Sequence, residues 1–509
     1  MSTSGYVSEI EYVHNYNVSM SPMHMVLATK ICGSKTRLSP EPNYLELGFG
    51  QGLSLNIHAA ANPGTYWGND FNPTQAANAL DLAAASGADL RISDESFSGL
   101  ADRTDLPMFD MIALHGIWSW VSEENRRTIV DIARRRLKVG GLLYVSYNCY
   151  PGWAAATPIR HLLSEHGSNI ASGTILNRLQ SSISFVQSLV DANALYFKSN
   201  PEVVQRWNQL STSQDRRYIA HEYLNENWDI MYFTDVANRM AEAKLSYAAS
   251  AHLLDLVDPI HLTPRGLEIV NGIDSDILKQ TTRDVLVNQQ FRRDVFIKGE
   301  GKLHPVEQQA ALTSQLFVMI LAPDKFPKTV QGTLGEGKLN PAIYDPIAEF
   351  LSSDNFRPKT IAEMIKSPLF QKLTLPQIAQ AMTILSSVGA IAPCHDDAIF
   401  NSQRSKCSAL NSELCRQAET SANVGHLASP RTGTGLPVNR FDKLFLRAEQ
   451  IKEKDPVAWI WSLLKRSNEK FLSDGKPLET EQDNMEKLRT LHKDYLSEKR
   501  SILYRMGVM

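Results

Sequence analysis

Glu46, Gly48, Gly50, Gly52 and Asp70 are the residues whose types and spacing in this chain could do chemistry. The first four lie in Tyr44-Leu45-Glu46-Leu47-Gly48-Phe49-Gly50-Gln51-Gly52, which reads as a buried strand turning through three glycines straight into a helix. Glycine lets backbone N–H groups approach a ligand without a Cβ clash, and a helix start favours negative charge. A glycine turn can equally be a plain structural loop. Two carboxylates set this one apart. Glu46 sits inside the strand, and Asp70 ends a second strand, Thr65-Tyr66-Trp67-Gly68-Asn69, 20 residues past Gly50. An acid at that distance can grip ribose hydroxyls, so the turn points to a nucleotide. A dinucleotide fingerprint spaces its glycines G-x-G-x-x-G; here the spacing is G-x-G-x-G.

Such residues need a sheet to position them. A third short strand is expected over 88–92, a fourth over Phe109–Gly116 and a nearly all-apolar fifth over Leu142–Tyr147. Between the last two, Ile129, Ile132, Ala133 and Leu137 mark a helix from Glu123, expected to stop at Gly140-Gly141. Strand and helix alternate as in a doubly wound parallel α/β sheet. Residues 158–230 are helical in character and rich in Ser, Asn and Gln; then come an amphipathic helix (233–244), a sixth strand (245–251) and a seventh (293–298). An insertion after strand five would lie beside the carboxyl ends of the strands, where ligands bind. The expected division is a catalytic domain over 1–305 with 158–230 as helical insertion, a winged-helix-like domain over 306–400 and a mainly helical region over 401–509. The rival division is a separate helical domain over 158–300. Helices are expected at 341–353, 360–366 and 375–387. The last contains no Lys or Arg, which argues for a structural or protein-contact role over DNA reading. Arg431–Pro437 reads as a loop, and the chain from Asn439 as a solvated helical bundle.

Composition narrows the classes. A chain of 509 residues implies two or three domains. A net charge of −3 argues against a general nucleic-acid binder. Five scattered cysteines without a C-x-x-C pair fit a reducing cytoplasm and no zinc site. Cys394-His395-Asp396-Asp397 are adjacent, and adjacent residues rarely converge on one ion, so no metal is expected. No 18-residue apolar stretch occurs. A soluble, cytoplasmic protein is expected, which would meet any envelope substrate before export.

The acid-x-G-x-G-x-G stretch resembles motif I of the class I S-adenosylmethionine (SAM) methyltransferases, and LKVGGLLYVS resembles the entry to their fifth strand. The stretches HGIWSWVS, SYNCYPGW, HEYLNENWDIMYFTDVANRMAEAKLSYAAS and NQQFRRDVFIKG are similar to bacterial members that carry a methyltransferase regulatory domain. The best-described relatives of that kind are rickettsial-type lysine methyltransferases of outer-membrane protein. The resemblance covers roughly residues 10–300 and weakens beyond; Phe49 stands where a smaller residue is common. It implies a Rossmann-like class I fold with SAM as cofactor. Glu46, Gly48, Gly50 and Gly52 would hold the methionine and ribose region, and Asp70 both ribose hydroxyls. Asp94 and Phe97 would contact adenine, with Asp94 equally readable as a turn or cap residue, and His115 would lie near the cofactor.

A protein acceptor with lysine as the target follows from the same resemblance. Lysine must attack as a neutral amine, although its free pKa is about 10.4, so it must be desolvated, aligned or deprotonated. Aromatic walls suit its alkyl chain and cationic tip. Trp118 and Trp120 after strand four, and Tyr147, Tyr150 and Trp153 around the end of strand five, offer such walls; each can equally be ordinary core. His115, Trp118, Tyr147, His221 and Glu222 are the candidates for acceptor alignment or proton removal. Tyr12, His14 and Tyr16 could close over the cofactor or form a packed N-terminal arm. Two other function classes stand beside protein methylation: O- or N-methylation of a small molecule, glycan or lipid precursor, and a non-enzymatic SAM-binding scaffold. The long C-terminal half favours a macromolecular acceptor.

Overall fold

The computed structural model describes residues 14–213, 216–299, 301–473 and 476–509; Tyr12 lies outside the described residues. Among the described residues the first α-helix is α1 (Pro22–Ile31), and strand and helix then alternate: β1 (Asn43–Leu47), α2 (Leu53–Ala61), β2 (Thr65–Asn69), α3 (Pro73–Ser86), β3 (Leu90–Ser93), α4 (Phe97–Asp102), β4 (Phe109–Leu114), α5 (Glu123–Arg136) and β5 (Leu137–Asn148). Local chemistry sets the helix ends. Asn72 caps α3 before Pro73, and Gly87, at φ +63°, closes it. In α5 the side chain of Ser122 accepts the Asn125 N–H, two glutamates occupy the first turn and three arginines the last, each complementing the helix dipole.

The five strands and two later ones, β6 (Leu245–Ser250) and β7 (Phe291–Lys298), form one seven-stranded sheet of order β3-β2-β1-β4-β5-β7-β6. All pairings are parallel except those of β7, which runs antiparallel to both neighbours. Residues 245–298 therefore complete the main sheet, and this is the class I methyltransferase sheet that the resemblance implies. Alternation splits the side chains. Tyr44, Met111, Tyr144 and Val295 pack on one face with α2 and α3. Leu45, Ile112, Leu143, Val145, Tyr147 and Phe296 pack on the other with α5 and α11 (Phe233–Ala241). One boundary differs from expectation. The helix ends at Arg136 and the strand starts at Leu137, so Gly140 and Gly141 lie inside β5. Gly140, at φ +80°, lets the Arg37 backbone approach: a Cβ there would fall 2.7 Å from the Arg37 Cβ.

Between β5 and α11 the chain forms α6 (Thr157–Asn169), α7 (Ile175–Asp191), α8 (Leu195–Ser199), α9 (Pro201–Ser213) and α10 (Arg216–Tyr223), which share a small core built on Leu163, Leu179, Val186 and Trp207. Helices α12 (Pro264–Asn271) and α13 (Asp276–Val287) lead into β7.

Beyond the sheet come α14 (Pro305–Thr313), β8 (Leu316–Met319), a hairpin of β9 (Thr329–Gly332) and β10 (Gly335–Lys338), α15 (Pro341–Phe356), β11 (Lys359–Thr360), α16 (Ile361–Lys366), α17 (Leu375–Ser387) and β12 (Ile391–Pro393). A three-stranded sheet, β11-β8-β12, backs these helices. Its third strand comes from before the helices, so the strand-turn-strand wing that follows the last helix of a winged-helix unit is replaced by β8. The long helix α18 (Asp397–Gln417) then lies on α2 and α3, and Arg431 and its neighbours form the tip of a hairpin, β13 (His426–Ser429) with β14 (Thr434–Pro437), rather than an open loop. Helices α19 (Arg440–Gln450), α20 (Pro456–Arg466), α21 (Glu481–Asp494) and α22 (Arg500–Arg505) complete the chain. They are less solvated than their charge suggested: Leu444, Phe445, Ile460, Leu464 and Leu488 share a core with Leu53 and Ile57 of α2. The adjacent cluster at 394–397 diverges, since His395 Nε2 faces the Asn62 amide oxygen at 2.9 Å while Asp396 caps α18.

Candidate functional site

The glycine turn sits at the carboxyl ends of β1, β2 and β4. Gly48, Gly50 and Gly52 all take left-handed φ values, +69°, +59° and +74°. A Cβ on Gly48 would fall 2.3 Å from Ile117 Cδ1, and one on Gly52 would fall 2.4 Å from Ala79 Cβ. Only glycine allows both the turn and this packing. Gly52 opens α2 with no side-chain cap.

Two buried carboxylates face the turn. Asp70 Oδ2 accepts the Gly50 N–H at 2.8 Å and Oδ1 accepts the Asn72 N–H at 3.0 Å. Burial nevertheless lifts its pKa to about 6. Glu46 is buried with Tyr44 Oη 3.5 Å away, and burial, reinforced by the Asp70 charge, raises its pKa to about 8. Carboxylates held this way lose solvation that a ligand's hydroxyls or positive charge can replace. The set suits SAM, whose ribose carries hydroxyls and whose sulfonium and ammonium carry positive charge.

Beyond β3, Asn69 ties the next loop down: its amide donates to the Glu95 carbonyl at 2.9 Å and its oxygen accepts from Ser93 Oγ at 2.7 Å. Asp94 is exposed on that loop, and Phe97 opens α4, half-buried against the far-face core. His115 follows β4. Its Nδ1 meets Tyr144 Oη at 2.8 Å, and the Asn17 amide donates to Nε2 at 2.7 Å. Burial, aided by nearby Arg293, lowers the pKa to about 3, so the ring is neutral. The Gly116 N–H donates to Ser146 Oγ at 2.9 Å, fixing the turn after β4. Asn17 also donates its backbone N–H to Ser54 Oγ at 3.0 Å, linking the glycine-turn helix to the end of β4.

The aromatic candidates separate. Trp118 is only 1% exposed and belongs to the core under α5 and α11, with its indole N–H 3.2 Å from the Met231 sulfur. Trp120 is buried too. Tyr147 lies on the face opposite Ser146, and its hydroxyl donates to Asp294 Oδ2 at 2.6 Å; that commitment corrects its expected role. Tyr16 does not cover the turn. It packs between His58 and His426, its ring 4.8 Å from the latter, against the β13–β14 hairpin. Tyr150 stacks on Tyr232 at 4.9 Å. Trp153 carries Arg206 on its face at 3.7 Å and meets Trp228 edge-on. His221 is buried on α10, whereas its neighbour Glu222 lines a cavity of about 660 Å³ together with Trp153, Tyr223, Arg206, Glu202 and Gln290. Burial raises the Glu222 pKa to about 7.

Asn17, Asn69, Tyr144, Ser146 and Arg293 escaped the sequence reading. For Ser146 a signal existed: it lies two residues from Tyr144 in β5 and so shares its face. For Asn17 there was none.

Residues 45–145 match the family described as "Methyltransferase domain", and residues 215–298 match the "Predicted methyltransferase regulatory domain". An uncharacterized protein of the cyanobacterium Synechocystis is 35% identical over 99% of both chains. The chain belongs to the SAM-dependent methyltransferases with a methyltransferase regulatory domain. An uncharacterized protein of Rickettsia prowazekii is 24% identical to this methyltransferase over 58% of its length and 53% of the relative's. The solved structure described as PKMT2 from Rickettsia typhi in complex with AdoHcy shares the fold at a TM-score of 0.65 and 18% identity, covering 97% of the methyltransferase and 99% of that chain. The regulatory-domain match holds α10, α11, β6 and β7, so it supplies two strands of the sheet. Among the described residues no helix of the enzyme is long and apolar enough to cross a membrane.

Proposed function

We propose that this methyltransferase modifies lysine side chains of a protein acceptor, which reaches the strand ends through the cavity beside the insertion. The observation that carries this reading is that cavity, whose lining brings Glu222 together with Trp153 and Tyr223. Apolar ring surface and a carboxylate together suit a long alkyl chain with a charged tip, with Arg206 already seated on the Trp153 face. The solved rickettsial fold relative named PKMT2 and the motif resemblance to rickettsial lysine methyltransferases point the same way.

SAM supplies a methyl group on positively charged sulfur, open to in-line displacement. The residues of the chain do the rest. Asp70, Glu46 and the glycine turn bind and orient the cofactor, with Asp94 and Phe97 at the adenine end. Neutral His115, held by Asn17 and Tyr144, accepts no proton near neutral pH and serves as a fixed wall. Glu222, with a pKa near that of the medium, is suited to take a proton from an incoming ammonium. Trp153 lines the cavity, and Tyr150 precedes the Pro151-Gly152 turn on its wall. In this reading residues 1–305 are the catalytic unit, 158–230 an insertion over the acceptor path, and 306–400 and 401–509 modules that support it. The enzyme works in the cytoplasm and meets an envelope acceptor before export.

Radiolabelled SAM incubated with cell lysate, followed by separation by size, tests the proposal. Label in protein bands, mapped to methyl-lysine by mass spectrometry, is expected. Label confined to small or lipid fractions would replace protein with a small-molecule acceptor.

A further inference from the structure

Arg293 stands out among the cations of the sheet. Its neighbour Arg292 points to the opposite face and is paired with Asp294 and Asp284. Buried Arg126 and Arg283 each hold an aspartate as well. Arg293 has none: among the described residues no carboxylate pairs with it, and its Nε is buried without a hydrogen-bond partner. An arginine presents a fork matched to a carboxylate, and leaving part of it buried and unmet costs free energy.

Its place is informative. Arg293 pairs in register with Ser146 of β5, so both lie on the face that carries Tyr144. Its guanidinium lies 6.0 Å from the Phe291 ring, which meets His115 edge-on at 5.9 Å. The guanidinium therefore lies near His115, at the end of β4. Its positive charge helps keep His115 and, on α1, His24 neutral. His24 Nε2 faces the Ala251 carbonyl at 2.6 Å, and Asn17 bridges from His115 to Ser54 on α2. Among the described residues the β4 end thus brings Arg293 together with neutral polar groups, and the Glu46 charge also reaches Tyr144 there.

We propose that Arg293 binds the carboxylate of the cofactor's amino-acid tail, an assignment that rests on the SAM reading of the glycine turn. With the ribose at Asp70, the tail runs from the sulfur towards the β4 end, and the carboxylate meets the unpaired fork there. Arg293 is a binding residue that fixes the direction in which the tail lies.

Calorimetry with two probes tests this. S-adenosylhomocysteine carries the amino-acid tail; 5′-methylthioadenosine has the same adenosine and thioether without it. Arg293→Gln should weaken S-adenosylhomocysteine about ten- to hundredfold, the usual loss for a charge-assisted contact, and leave 5′-methylthioadenosine unchanged. Arg293→Lys should recover part of the loss, since it keeps the charge without the fork. Equal weakening of both probes in both variants, or no weakening of either, overturns the assignment. Absence of S-adenosylhomocysteine binding by the unmodified protein would instead remove the cofactor reading beneath it.

Discussion

Replacing Asp70 with asparagine should separate cofactor affinity from stability. The carboxylate is buried and its pKa is pushed from 3.8 to about 6. Below about pH 4 the group is protonated in both folded and unfolded chains and adds no cost. As pH rises through 6 the folded chain must carry the buried charge, so stability falls across that window by about 3 kcal/mol. Asp70→Asn removes this pH dependence. Against that gain, an amide offers one oxygen where the carboxylate met both the Gly50 and Asn72 N–H groups, a loss of about 1–3 kcal/mol. The two effects nearly cancel above pH 7, so the ligand-free variant should melt within a few degrees of the parent. Affinity for S-adenosylhomocysteine behaves differently. Ribose hydroxyls need the ionised acceptor, so parental affinity should drop about tenfold from pH 7 to pH 5, where about one carboxylate in ten is ionised. The variant should lose about ten- to hundredfold at pH 7 and show no titration near 6. Titration calorimetry across pH 5–8, with thermal melts of the ligand-free proteins, measures both. A parental affinity that is flat over this range, or a variant whose melting loss alone explains its weak binding, would refute the reasoning.

Three further outcomes follow from named contacts. Gly52→Ala places a Cβ 2.4 Å from Ala79 Cβ at φ +74°; urea denaturation should show a loss of about 2–5 kcal/mol, with S-adenosylhomocysteine binding abolished. Trp118→Ala should cost about 3–5 kcal/mol by the same assay, as a buried core ring does, and a normal melt with selectively lost acceptor turnover would contradict its core placement. Glu222→Gln should slow methyl transfer roughly a hundredfold and flatten the rise in rate that the parent shows as pH passes through about 7; an unaltered pH–rate profile would exclude Glu222 as the proton acceptor.

Much of the sheet was legible because its strands are short apolar runs bounded by turn residues, and Glu46, the glycines and Asp70 carry their geometry in their spacing. Facing was harder to read. Trp118 and Tyr147 look like pocket aromatics, yet the register of β5 with β7 sends Tyr147 to the core face and Trp118, past the end of β4, packs into the same core. Gly140 and Gly141 look like a helix stop, yet the tertiary approach of Arg37 requires glycine inside a strand. The polar stretch after residue 400 hides α18, whose buried Cys407, Leu410, Asn411 and Leu414 do follow a helical period. Arg293 was unreadable in principle, because an unmatched cation is a property of its surroundings and not of its spacing.

Every residue of α2, from Leu53 to Ala61, is buried. Its sheet side meets β1 and β2, while its outer side is covered by α18 and the β13–β14 hairpin: Cys407 Sγ approaches the Ala60 carbonyl at 3.3 Å, and the Asn62 amide reaches the Gly433 carbonyl at 2.9 Å. Cutting the chain before residue 397 would leave a greasy rod facing water, so the front half is a poor candidate for expression alone. The same arrangement means that prising the rear module away disturbs the rod that follows the glycine turn; if that turn seats the methyl donor as proposed, filling the seat must by reciprocity tighten the module's grip.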